Sequence, residues 1–320
     1  MATGFALEKL VFLMLIKHYL FMLDYASLAA VGAVIREGSF ERAAAVLGMT
    51  ASAVSQRVRG LEERLGAVLI MRGQPCLPTD LGRELCAHLD RVQLLEVDLA
   101  PALAGRDGKT GMPLTLRLAV NADSLATWFP QAAAAFGRET GILLDLILDD
   151  EAHTAARLRS GEVLAAVTAD PDPVQGCRTV ALGALRYVAC ASPDFMSRHF
   201  GAGVDGATLA KAPCMRFDRR DMLQARWAGE AYGLGLPARA NWVPSTQGFL
   251  DLALAGLAWG LHPLELARPH IAAGRLIELP PYLRLDVKLY WTVVRLHAAA
   301  LSHLTRAVCT AASQSLGGDA

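Results

Sequence analysis

Ser39-Phe40-Glu41-Arg42-Ala43-Ala44-Ala45-Val46-Leu47-Gly48-Met49-Thr50-Ala51-Ser52-Ala53-Val54-Ser55-Gln56-Arg57-Val58-Arg59 reads as a helix, a tight glycine-containing turn and a second helix. Ser39 can cap the first of these; the capping-box position three residues on holds Arg42, so simple serine capping is expected. Gly48 ends it, Thr50 can cap the next, and that helix runs to Leu65 and Gly66. Val54, Val58, Leu61 and Leu65 fall on one helical face, leaving Ser52, Ser55, Gln56, Arg57 and Arg59 on the other. Arg and Gln can read base edges bidentately, and Ser or Arg can hold phosphates, so the polar face suits double-stranded DNA. A solvated helix face is the competing reading. The local charge does not decide between them, because six arginines face four glutamates between Arg36 and Arg72.

Upstream, Leu28, Val31, Val34 and Ile35 mark a preceding helix closed by Gly38. Downstream, Leu81, Leu85, Leu89, Val92, Leu95, Leu99 and Leu103 recur at spacings of three and four, an apolar seam suited to a partner helix, with Pro101 expected to kink or end its last turn. Residues 104–111, Ala-Gly-Arg-Asp-Gly-Lys-Thr-Gly, read as a linker. Beyond them strand candidates at 114–120, 143–148, 163–168, 187–191, 240–243 and 285–294 alternate with helical stretches, which predicts βαβ units and a mostly parallel sheet. The organisation expected is an extension at 1–21, a DNA-binding domain at 22–80, a linker helix and linker at 81–112, and a two-lobed α/β domain at 113–320.

Composition limits the alternatives. The chain has 320 residues, 53% hydrophobic and 19% charged, with 31 basic and 31 acidic side chains, so it folds and carries no overall basic excess. The six cysteines form no CxxC pair, which argues against a structural metal or a disulfide framework and favours a reducing cytoplasm. The apolar run within Phe5–Phe21 is broken by Glu8, Lys9, Lys17 and His18; it is too short to span a membrane, and Met22 reads as the natural start. No nucleophile elbow, zinc-protease motif or phosphate loop is present, so no enzyme and no cofactor are expected.

Five segments taken together resemble a known family: Gly38–Ala44, Ser52–Ser55, Leu61–Gly66, Leu69–Arg72 and Thr79–Gly82 look like the winged helix-turn-helix of LysR-type transcriptional regulators. The resemblance implies wing strands at 67–71 and around 76–79, Arg72 near the DNA backbone, Thr79 capping the linker helix, and the leucine seam as a dimer contact within a homo-oligomer. Ala51 departs from the glutamine usual in the family; alanine touches a thymine methyl but makes no hydrogen bond, so the operator does not carry over. The fold implied is a winged helix-turn-helix and long linker helix, then a two-lobed α/β effector domain resembling periplasmic binding proteins. Leu118–Trp128 and Leu182–Tyr187 resemble the subfamily that senses lysine and arginine and activates a basic amino-acid exporter.

In that domain Asn121, Asp123 and Ser124 lie where a strand gives way to a helix, a usual ligand position. Asp123 can meet an ammonium or serve as a plain helix cap. Asp149, Asp150 and Glu151 form an acidic run at the same strand edge, and Thr168 ends the next strand. Asp218, beside Asp221, and Ser245 and Thr246 are further candidates in the second lobe. His262 reads as structural, and Trp128, Trp242, Trp259 and Trp291 as core. The expected partners are operator DNA, a lysine or arginine effector, RNA polymerase and a second copy of the chain. The alternatives are a related regulator with another metabolite, or a repressor without inducer.

Overall fold

The computed structural model describes residues 23–103, 114–148, 151–235 and 239–316, without the side chains of 99–103 and 151–152. The expectations for residues 1–21, for the linker at 104–111, and for Asp149, Asp150 and the Glu151 side chain lie outside the described residues. The chain divides into two compact units.

The first unit begins with α1 (Tyr25–Glu37), α2 (Phe40–Leu47) and α3 (Ala51–Leu65). Asp24, Ser39 and Thr50 each accept a backbone N–H at the start of these helices, and Gly38, Gly48 and Gly66 end them in the left-handed region at φ 68°, 63° and 66°. Gly38 could not be replaced cheaply, since a Cβ there would meet Pro75 at 2.9 Å. Leu28, Val31, Val34, Val54, Val58 and Leu61 are buried together in one core. The wing is β1 (Ile70–Met71) paired antiparallel with β2 (Leu77–Pro78), shorter than the sequence suggested. Glu62 anchors it: its carboxylate accepts the Leu69 N–H at 2.8 Å and the Ile70 N–H at 3.3 Å.

Helix α4 (Asp80–Leu103) follows, with Thr79 Oγ1 accepting the Gly82 N–H at 3.1 Å and donating to the Val68 carbonyl at 2.9 Å. It runs two residues past Pro101, so the proline does not end it. The seam is divided. Leu89 is buried in the core of α1–α3 and Leu85 packs against that core, whereas Leu81 and Leu95 are exposed. Leu94, outside the expected seam, is buried. The side chains of Leu99 and Leu103 are outside the described set.

The second unit is built on a seven-stranded sheet of order β10-β6-β11-β5-β3-β4, with β9 also paired to β6. In chain order it begins β3 (Thr115–Val120), α5 (Ala122–Ala126), α6 (Phe129–Thr140), β4 (Leu143–Leu148), α7 (Glu151–Ser160) and β5 (Ala165–Thr168). These strands are parallel, β3 pairing with both neighbours. Then comes β6 (Cys177–Ala191), followed by α8 (Pro193–His199), α9 (Gly206–Lys211), β7 (Cys214–Arg216), α10 (Leu223–Tyr232), β8 (Ala240–Trp242), α11 (Thr246–Leu254), β9 (Gly260–Pro263) and α12 (Leu264–Ala272). The chain closes with β10 (Ile277–Glu278), β11 (Arg284–Val294) and α13 (Ala299–Ser315).

The expectation of a mostly parallel sheet is corrected here. Strands β6 and β11 pair antiparallel from Cys177↔Val294 to Val188↔Arg284, and β5, β9 and β10 also join them antiparallel. This pair runs through both lobes, with a register shift between Leu289 and Tyr290 where Gly183 adopts φ 121°. A Cβ at Gly183 would meet the Leu316 carbonyl oxygen at 2.7 Å, so a side chain is excluded at this crossing. β7 and β8 form a small parallel sheet of their own in the second lobe.

Gly82 shows how tightly the wing meets α4, because a Cβ there would lie 2.2 Å from the Leu69 carbonyl oxygen. Gly82→Ala is therefore expected to lower stability by about 1–3 kcal/mol through forced backbone displacement. Urea denaturation checks it, and an unchanged midpoint would disprove the close approach.

Candidate functional site

In the first unit the exposed face of α3 carries Ser52, Gln56, Arg57 and Arg59, with Ser55 half-buried. Thr50 is exposed but its hydroxyl is engaged: it accepts the Ala53 N–H at 3.2 Å and lies 3.0 Å from Ser52 Oγ. That makes it a helix cap first. Arg72, exposed at the end of the wing strand, has its guanidinium 5.2 Å from the centre of the Phe40 ring. The ring steadies the cation next to α2 while leaving its donors to solvent. Two arginines and a glutamine on α3, with a third arginine on the wing, form a surface of the kind that meets DNA phosphates and base edges.

The second unit contains a half-open cavity of about 460 Å³, within the range of small-molecule sites. Its wall draws on the β3–α5 junction, the crossing strands β6 and β11, the β7–α10 connection, and the start of α11 and β9. Asp123 joins these parts. Tyr187 from β6 donates its hydroxyl to Asp123 Oδ2 at 2.5 Å, and Thr246 from α11 donates to Oδ1 at 2.6 Å. Asp123 is not the helix cap: Asn121, also in the wall, accepts the Ser124 N–H at 2.7 Å. The Asp123 carboxyl is enclosed although the residue keeps partial exposure, and burial pushes its pKa above the ordinary carboxylate range. The two hydroxyls favour the carboxylate and pull the other way, while the charge of Asp221 adds repulsion.

The remaining candidates divide. Thr246 and Asp218 line the cavity. Asp218 Oδ1 is already occupied by the backbone N–H groups of Arg220 at 2.7 Å and Asp221 at 2.9 Å. Three candidates are not in the wall. Ser124 is fully buried, with its hydroxyl accepting from Trp128 Nε1 at 3.1 Å. Thr168 accepts the Asp170 N–H at 3.1 Å in a turn. Ser245 caps α11 by accepting the Gly248 N–H at 3.1 Å. Each hydroxyl satisfies a local backbone or core donor, which sequence position alone could not distinguish from a ligand contact.

The wall also contains Tyr187, Arg220, Gln224, Arg226 and Phe249, which sequence reasoning did not place there, and His262, whose stretch it put near the cleft floor but read as structural. They come from strand interiors, helix first turns and, for Arg220, the β7–α10 connection, where no spacing rule signals a cavity. His262 is buried and neutral, its pKa pushed down to about 3 by burial, with His270 adding repulsion. Gln224 Oε1 and His262 Nε2 are buried without a hydrogen-bond partner. Trp128, Trp259 and Trp291 are fully buried, but Trp242 is 43% exposed and stacks with Arg216 and Arg219, which corrects its assignment to the core. Among the described residues, no helix is long and apolar enough to cross a membrane.

Family comparisons match both units. Residues 26–83 match the model for the bacterial regulatory helix-turn-helix protein of the lysR family, and residues 110–316 match the LysR substrate binding domain. The HTH-type transcriptional regulator ArgP of Pseudomonas aeruginosa is 43% identical over 297 residues, 92% of this chain and 98% of that protein. A crystal structure of ArgP from Mycobacterium tuberculosis aligns with TM-score 0.72 at 38% identity, covering 91% of this chain and 98% of the other. The full-length LysG from Corynebacterium glutamicum with bound effector Arg aligns with TM-score 0.65 at 37% identity, covering 92% and 99%. Together with the polar face of α3 and the cavity of the second unit, these matches establish that the chain belongs to the LysR family and is a DNA-binding transcriptional regulator, not an enzyme.

Proposed function

We propose that the cavity takes a basic amino acid, lysine or arginine, and that its occupancy controls genes such as an amino-acid exporter. The observation that carries this reading is Asp123: an enclosed carboxyl with two hydroxyl donors, a second carboxylate felt through space, and no cation bonded to it. Burying such a group is costly, and a ligand ammonium relieves the cost. The wall carries Asp123, Asp218 and Asp221 against Arg220 and Arg226. That balance complements a molecule with two cationic groups and one carboxylate. The arginine in the Corynebacterium glutamicum relative supports the same class.

Asp123 belongs to the first lobe, whereas Thr246 belongs to the second. A cation bound at Asp123 therefore bears on the contact between lobes, and can shift a population between open and closed clefts. In this reading the chain works in the cytoplasm as a dimer, or a pair of dimers, through the exposed leucines of α4. Closure changes the angle between DNA-binding pairs and the bend of the operator, and so changes how RNA polymerase is helped or held. Linkage requires the ligand to favour one arrangement over the other.

Thermal unfolding with lysine or arginine should rise in the wild type, by about 2.7 kcal/mol at a hundredfold excess over the dissociation constant. Asp123→Asn keeps the size of the side chain and should lose that rise without lowering the unliganded midpoint. An undiminished rise would exclude Asp123 as the cation partner. Because the unliganded folded pKa is raised, the site is partly protonated just above the ordinary carboxylate range, and a cation selects the ionised form. Ligand affinity should therefore increase with pH through that window, while the unliganded fold loses stability across it. Isothermal titration at several pH values reads the slope; a flat profile would reject the assignment.

For DNA, Arg57→Ala together with Arg72→Ala should abolish operator gel shifts while leaving thermal unfolding unchanged. Retained shifts would remove α3 and the wing from the interface.

A further inference from the structure

Five cavity-lining residues, Phe217, Asp218, Arg220, Asp221 and Met222, come from the connection between β7 and α10. A six-residue irregular segment has many conformations available, and a ligand that must order it binds more weakly. Its own carboxylates fold part of it. Asp221 accepts the Phe217 N–H at 2.8 Å and the Leu223 N–H at 3.0 Å, and Asp218 accepts the N–H groups of Arg220 and Asp221. Two of the segment's carbonyls turn the other way, toward Arg216. Arg216 Nε donates to the Asp221 carbonyl at 2.8 Å, and Nη2 donates to the carbonyls of Arg219, at 3.2 Å, and Asp221.

Arg216 is only 8% exposed, and strand register sets its place: it is the direct partner of Trp242 across the parallel β7–β8 pair. Its guanidinium carbon lies 4.9 Å from the Trp242 ring centre, and that of Arg219 lies 5.1 Å from the same ring. The stack thus grips the segment at both Arg216 and Arg219.

We propose that Arg216, stacked on Trp242, is a positioning residue that holds the 217–222 segment in the shape the ligand meets. The proposal rests on the basic-ligand reading above. Lysine at 216 would keep the charge but lose the planar fork that reaches two carbonyls and the flat face that stacks. Trp242 should also report occupancy optically. It is exposed, whereas Trp128, Trp227, Trp259 and Trp291 are fully buried.

The test titrates full-length wild type, Arg216→Lys, Trp242→Leu and Trp242→Phe with lysine and with arginine by calorimetry, following tryptophan emission in parallel. Expected is a loss of affinity of about tenfold or more in Arg216→Lys and Trp242→Leu, the scale of losing one charge-assisted hydrogen bond. Trp242→Phe should restore binding while losing most of the ligand-dependent emission change. Operator binding without ligand should be unchanged in all three, which a general loss of folding would not allow. Should Arg216→Lys fail to fold, Trp242→Leu carries the test, because its side chain is half-exposed. Equal affinities in variants and wild type would overturn the clamp and leave the basic-ligand reading standing. Absence of binding in the wild type would overturn both.

Discussion

The antiparallel pair β6 and β11 is the constraint on which the effector unit depends. Its ladder runs from Cys177↔Val294 to Val188↔Arg284, long enough for one end to receive β5 and the other to receive β9 and β10. The two lobes are therefore not independent domains on a flexible tether. They share two strands, whose register shifts beside Gly183. A side chain at that position would collide with the carbonyl of Leu316, so the same glycine serves the crossing and the docking of the C-terminal helix.

Such a frame makes a buried carboxylate useful. Asp123 sits at the end of the parallel half of the sheet, Tyr187 on the shared strand, and Thr246 at the start of a second-lobe helix; three distant stretches of chain meet at one side chain. Two neutral donors compensate its desolvation only in part, which is why its pKa remains raised. In the proposed reading a cationic ligand would complete the compensation. Its binding would then act at the contact that joins the lobes, where it would bear on their relative arrangement. The DNA-binding unit follows a different logic: its polar face on α3 is rigid because three capped helices pack over one small core.

The helix-turn-helix was legible because its determinants are local. Serine and threonine caps, left-handed glycines and a 3.6-residue apolar period act within a few residues of chain, and Ser39, Thr50, Gly38, Gly48 and Gly66 all perform the roles their positions implied. The leucine seam was half legible. Periodicity identified the apolar side of α4, but could not divide it between Leu89, buried in the core of its own unit, and Leu81 and Leu95, left on the surface. Strand β6 was mostly missed: sequence reading placed a strand only at 187–191, whereas the strand begins at Cys177 and Gly183 within it permits a close crossing.

At the candidate site the sequence determined which groups were available: a carboxylate and hydroxyls at strand-to-helix junctions, and an acidic residue beside an arginine pair. Tertiary structure decided what each one does. Asn121 took the capping role and freed Asp123, Ser124 turned inward to Trp128, Ser245 capped α11, and Asp218 spent an oxygen on its own loop. Trp242, indistinguishable in sequence from the four core tryptophans, became a stacking surface because strand register set it beside Arg216. The physical reason is common to all of these. Capping and periodicity can be read from neighbouring residues, whereas whether a polar side chain is spent on a local donor or left at the cavity depends on which groups folding brings within about 3 Å of it, and for Asp123 these are Tyr187 and Thr246, 64 and 123 residues away.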